Sequence, residues 1–179
     1  MAFAFATGAC IDLAGHSCSG VGYTCDHTTI TLQSPNDAWT TGTYTLNLSV
    51  DGTPGQCTVQ IPDPPPANGV QGNCGLGSNL TLTLVTVDSC PPVVCDNNLC
   101  QGMSCTAVPG HFQMNVVISS GTGSDASPRV AAQVALDLSV NGRALVSEAI
   151  SPKSTTTEPN GAGCGTCTNA SATLSVAGG

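Results

Sequence analysis

"VALDLSVNGRALVSEAI", residues 134 to 150, reads as two strands and the turn between them. Val134, Leu136, Leu138 and Val140 fall on every second position, the spacing of a strand with one buried face. Asn141-Gly142 then supplies two residues that tolerate positive φ, which a two-residue hairpin turn needs. A helix would return apolar residues every three or four positions, and the Ala-rich stretch at 130–133 gives at most one turn of that before alternation takes over. The reading is an antiparallel hairpin with one face in a core.

The same grammar repeats along the chain. "TYTLNLSV" (43–50) puts Tyr44, Leu46, Leu48 and Val50 on one face and Thr43, Thr45, Asn47 and Ser49 on the other, and Asp51-Gly52 follows as a second hairpin turn. "TTITLQ" (28–33), "QCTVQI" (56–61), "NLTLTLVTV" (79–87), "FQMNVVIS" (112–119), "VAAQVALDLSV" (130–140), "RALVSEAI" (143–150) and "SATLSVA" (171–177) are further alternating or short apolar runs between Gly, Pro, Asn and Asp. Eight such runs at these spacings predict an all-β protein: an antiparallel β-sandwich, immunoglobulin-like and disulfide-crosslinked, with little helix. Residues 28–179 form the single sandwich domain, and 1–27 an N-terminal extension. Stretches 10–27, 62–77 and 88–110 carry no strand period and are expected to be irregular.

Charge narrows the function classes. Only 8% of the residues are charged, and eleven acids face three cations, a formal net charge of −8. Phosphate recognition needs clustered cations, so nucleic acid is excluded as a partner, and anionic membrane surfaces are disfavoured on the same ground. A surface covered by Thr, Ser, Asn, Gly and Gln suits a protein outside cells, and especially one that buries surface against copies of itself. No apolar run reaches the length of a transmembrane helix.

Eleven cysteines exceed cytosolic habit and indicate an oxidising compartment. They fall into local sets: Cys10, Cys18 and Cys25; Cys57 and Cys74; Cys90, Cys95, Cys100 and Cys105; Cys164 and Cys167. Local pairing would join Cys18 to Cys25, clip the proline loop with Cys57–Cys74, place two bridges in "CPPVVCDNNLCQGMSC" (90–105) and close Cys164 on Cys167, leaving Cys10 unpaired or lipidated. Cross-sheet bridges stay open, because spacing does not determine connectivity. The four-residue gaps at 90–105 are unusual for a zinc knuckle, and Pro91-Pro92 stiffens the first, so a stapled loop is the reading there.

The apolar opening "MAFAFATGAC" lacks a basic leader and so does not complete a signal peptide. It alternates small and aromatic residues, and two readings stand: a remnant or first strand of the chain's own sheet, or a donor strand presenting Phe3 and Phe5 to a neighbouring subunit. Cys10 is the candidate lipid-anchor residue.

Chemistry is sparse. His16, His27 and His111 are the histidines; "GHSCSG" (15–20) has Ser19 where a nucleophile elbow needs Gly. His16 and His27 near Cys18 and Cys25 could ligate a metal, with loop histidines as the simpler alternative. The acids stand singly, mostly at turns, and no calcium-loop motif is present. Trp39 reads as a core residue, and sequons stand at Asn47, Asn79 and Asn169. Neither a catalytic residue, a metal site nor a cofactor is called for.

From about His111 onward, on "NGRALVSEAISP" (141–152), "TTTEPNGAGCGTC" (155–167) and "NASATLSV" (169–176), the chain resembles cysteine-rich exported proteins and lipoproteins of myxobacterial type. The resemblance implies a surface or periplasmic β-domain and carries over no catalytic residue. The functional expectation is a non-catalytic structural subunit of an extracellular or cell-surface assembly, filament-forming by strand addition between copies of itself. The alternatives are a monomeric, surface-anchored, lipoprotein-like binding or adhesion module, and a hydrolase using loop histidines.

Overall fold

The computed structural model describes residues 25–66, 69–75, 80–89, 95–96, 99–100, 106–119, 130–159, 161 and 166–177. Thirteen strands are found among them: β1 (His27–Gln33), β2 (Gly42–Val50), β3 (Thr53–Ile61), β4 (Val70–Gln71), β5 (Asn73–Gly75), β6 (Leu80–Ser89), β7 (Cys95–Asp96), β8 (Leu99–Cys100), β9 (Thr106–Ser119), β10 (Val134–Val140), β11 (Arg143–Ile150), β12 (Lys153–Thr157) and β13 (Cys167–Ser175). The only helical piece among the described residues is a single 3-10 turn at Pro35–Asp37, broken by positive φ at Asn36. The fold is therefore all-β.

Both expected hairpins form, and for the expected reason. Asp51 and Gly52 take φ of 48° and 85°, and Asn141 and Gly142 take 47° and 82°. Left-handed values at both central positions give the turn a twist that matches the strands it joins. Each turn also grips a neighbour. The Asp51 carboxylate accepts the Gln133 N–H at 2.9 Å and the Ala132 N–H at 3.1 Å, just ahead of β10. Asn141 Oδ1 accepts the Thr43 N–H at 3.0 Å, at the start of β2.

The strands build a six-stranded sheet in the order β12-β13-β1-β9-β6-β4, a five-stranded sheet in the order β11-β10-β2-β3-β5, and a separate β7-β8 pair. Along the inner strands of these two larger sheets every second residue turns inward. Ile30, Leu32, Leu82, Leu84, Met114 and Val116 from the larger sheet meet Tyr44, Leu46, Val59, Ile61, Leu136 and Leu138 from the smaller one in a single core. Burial of each such side chain contributes about 1.5–3 kcal/mol.

Trp39 and Thr28 carry polar groups into this core, and both are paired. Trp39 is buried, donates its indole N–H to the Phe112 carbonyl at 2.9 Å and meets Tyr44 edge-on at 5.5 Å. It thus ties the larger sheet to the smaller one, as a core tryptophan rather than a ligand shelf. Thr28, fully buried, accepts the Ala131 N–H at 2.8 Å.

Four expectations need correction. First, the sheets are not wholly antiparallel: β1 and β13 run parallel, Thr28 beside Ala170 through Gln33 beside Ser175. Alternation says which residues face the core but is silent on a neighbour's direction. Second, Cys25 does not pair with Cys18, and Cys167 does not pair with Cys164; Cys25 and Cys167 are bonded to each other. The β1–β13 register is offset by 142 residues, and Cys25 and Cys167 are 142 apart, so the ladder itself sets them side by side. Third, the proline loop 62–77 contains β4 and β5. Its clip was legible: Cys57 and Cys74 are directly opposed in the β3–β5 ladder and bonded. Fourth, the stretch 88–110 is narrower than expected, since β6 runs to Ser89 and β9 begins at Thr106, with β7 and β8 between them. Cys10, Cys18, Cys90, Cys105 and Cys164 lie outside the described residues, and of Cys95 and Cys100 only the backbone pairing is described.

Candidate interaction surfaces

Inward alternation leaves the other half of each strand facing out, and these residues are nearly all uncharged and hydrogen-bonding. On the larger sheet, one row runs across five strands as Gln71, Thr83, Asn115, Thr31 and Thr173. The next row runs Thr81, Val117, Thr29, Ser171 and Lys153. On the smaller sheet the rows are Asn73, Thr58, Thr45, Ser139 and Ala144, then Gln56, Asn47, Asp137 and Ser147. Lys153 and Asp137 are the only residues in these rows that carry a full charge at neutral pH.

The smaller sheet's face is internally bonded. Gln56 Nε2 donates to Asn47 Oδ1 at 2.6 Å, Thr43 Oγ1 to Gln60 Oε1, and Ser147 Oγ to Asp137 Oδ1. Side chains that hold one another lose less freedom when a partner docks, which lowers the cost of association. At one end of this face an open groove of about 470 Å³ is lined by Ser49, Gly52, Gln133, Ala135, Ala149 and Ser151, among others. Small side chains at Ala135 and Ala149 make the hollow.

Sheet edges are the other natural contact sites, because they present unpaired backbone groups. The four edge strands of the two larger sheets are short, charged or bent. β4 has two residues and β5 three. β12 carries Lys153 and follows Pro152, and its residues are all exposed. β11 holds a bulge: Leu138 faces Val146 while Ser139 faces Ala144, leaving Leu145 as the extra residue. One extra residue returns Arg143 and Glu148 to the same side of the strand, the core-facing side, where both remain exposed at the rim. Charges in that position oppose the docking of another strand.

The histidines do not come together. His27 faces Ser119 in the β1–β9 ladder, whereas His111 lies eight residues back along β9. At strand rise that is roughly 25 Å. His111 Nδ1 is 3.6 Å from Asp37 Oδ2 on the partly exposed rim. His27 donates its backbone N–H to Asn169 Oδ1 at 3.5 Å, and its Nδ1 is buried with no hydrogen-bond partner among the described residues. The metal reading at His27 and Cys25 loses its thiolate, because Cys25 is in a disulfide. No cluster of three or more metal-ligating side chains occurs among the described residues.

Phe3, Phe5, Cys10 and His16 lie outside the described residues, so the donor-strand and lipid-anchor expectations fall there. Of the sequons, Asn47 is exposed on β2, Asn169 is occupied with His27, and Asn79 is outside the description. Sequence reasoning missed β12, whose "KSTTT" has no apolar member to mark a period, and it missed the rows, which exist only once register is known. Among the described residues no helix is long and apolar enough to cross a membrane.

Comparison with protein-family models, with curated proteins and with solved structures finds no match for the chain.

Proposed function

We propose that this chain is a non-catalytic structural subunit of an extracellular or cell-surface assembly, an immunoglobulin-like sandwich that contacts further copies of itself through its sheet faces. The observation that carries the reading is the pair of outward faces, built mostly of polar residues with one charged residue, Lys153 or Asp137, on each. Interface centres are depleted of charge, and these faces meet that requirement over several strands. Two disulfides mark an oxidising environment, and the myxobacterial-type resemblance supports export to the cell surface. The immunoglobulin-like description is supported by strand order: β10 crosses over to lie beside β2, and the β2–β3 and β10–β11 hairpins share one sheet while β6–β9 lies in the other. A C-terminal strand, β13, occupies the place beside β1, and it runs parallel.

Negative-stain electron microscopy and sedimentation of the oxidised protein test this reading. Regular assemblies are expected; monodisperse monomers at every concentration overturn it. The four guarded edges favour a second reading, a monomeric surface-anchored binding module with the groove at Ser49 and Ala135 as its contact site. Intact mass decides for that reading if it finds a diacylglyceryl addition on Cys10.

A further inference from the structure

β1 and β13 are parallel neighbours, so the chain enters the first strand and leaves the last one in the same direction. Cys25 stands two residues ahead of β1 and Cys167 opens β13, and their disulfide joins the two strands at the shared upstream end. We propose that this arrangement makes the domain a load-bearing link. Tension applied between the chain ahead of Cys25 and the chain beyond Val176 runs through the Cys25–Cys167 bond and along β13, and it bypasses everything in between.

Three features support the bypass. The bond spans 142 residues of sequence, which include both halves of the core, so that loop hangs from the tension path without carrying force. The one strand left in the path cannot lengthen much, because a β-strand at about 3.3 Å per residue is already near the limit of roughly 3.3–3.6 Å for a stretched chain. Its downstream end is also held, by the Val176 N–H bonded to the Gln33 carbonyl at 2.8 Å and by burial of Leu174 and Val176. With the bond open, the same pull would instead load the rungs from Thr28–Ala170 to Gln33–Ser175 along the strands, together, and the core behind them would be exposed to force.

A structural subunit held at two points would use such a strap, and in that respect the proposal rests on the reading above; its mechanics stand on the β1–β13 geometry alone. The test is single-molecule stretching of the full chain with the handles attached at residues 24 and 177 themselves. The oxidised protein is expected to give no release longer than a few tens of ångströms up to detachment of the handles. The Cys25→Ser/Cys167→Ser variant, in which Cys57–Cys74 still shortens the path, is expected to release roughly 400 Å. Should that variant fail to fold, the oxidised parent is pulled instead from the two exposed hairpin turns at residues 52 and 142. Both points lie inside the bypassed loop, and release of roughly 150 Å is expected there. Hundreds of ångströms released by the oxidised parent pulled from residues 24 and 177 overturn the proposal, as does an opened variant that fails to lengthen or an oxidised parent that resists equally from the turns. An assembly that never forms under the microscope would sink the subunit reading and leave these traces unchanged.

Discussion

Thr28 occupies a core position on β1 that alternation would assign to an apolar residue. Its hydroxyl satisfies the N–H of Ala131, which has left one sheet and not yet joined the other. Thr28→Val keeps the shape and orphans that N–H, so a loss of about 1–3 kcal/mol is expected in urea unfolding followed through the single Trp39; an unchanged midpoint would show that Ala131 finds another acceptor. Asp51 does related work at the surface, where its carboxylate holds the N–H groups of Ala132 and Gln133. Asp51→Ala is expected to cost about 1 kcal/mol, while Asp51→Asn, which keeps an acceptor and tolerates the left-handed turn, should cost less. Trp39 could be read from sequence as a core residue because a lone tryptophan among so few aromatics offers no stacking platform. The Thr28 and Asp51 contacts could not, since each joins residues about eighty to a hundred positions apart and leaves no local spacing behind.

Strands were legible wherever one face was apolar. β2 and β10 declared themselves by four alternating residues each, and the turns after them by Asp-Gly and Asn-Gly. β12 did not, because a strand exposed along its whole length carries no inside-outside code. Direction was equally hidden, as β1 would bury Ile30 and Leu32 beside either a parallel or an antiparallel β13. The candidate surfaces fall between these cases: their composition is plain in the sequence, their order is not. At the free edge of the smaller sheet, the bulge in β11 and the two charges it turns inward form one device. Arg143→Val with Glu148→Val removes the charges and keeps the strand pattern. That pair should raise concentration-dependent light scattering of the folded protein; equal scattering would show that the charges guard nothing.

The two crosslinks among the described residues act at different ranges. Cys57–Cys74 closes a separation of 17 residues and Cys25–Cys167 one of 142. Loop-closure entropy assigns about 3 kcal/mol to the shorter and about 5 kcal/mol to the longer. Replacing each pair by serine should therefore lower stability in that order, read as the shift in denaturation free energy, and a larger loss from the short loop would point to native contacts rather than chain entropy. The short bridge was readable because both cysteines flank one proline loop; the long one joins sets that sequence treats as separate. Its topology also bears on damage. A protease that cuts the exposed Asn141-Gly142 turn severs the backbone but leaves both fragments covalently attached, so a nicked molecule should migrate whole without reductant and fall into two pieces only with it.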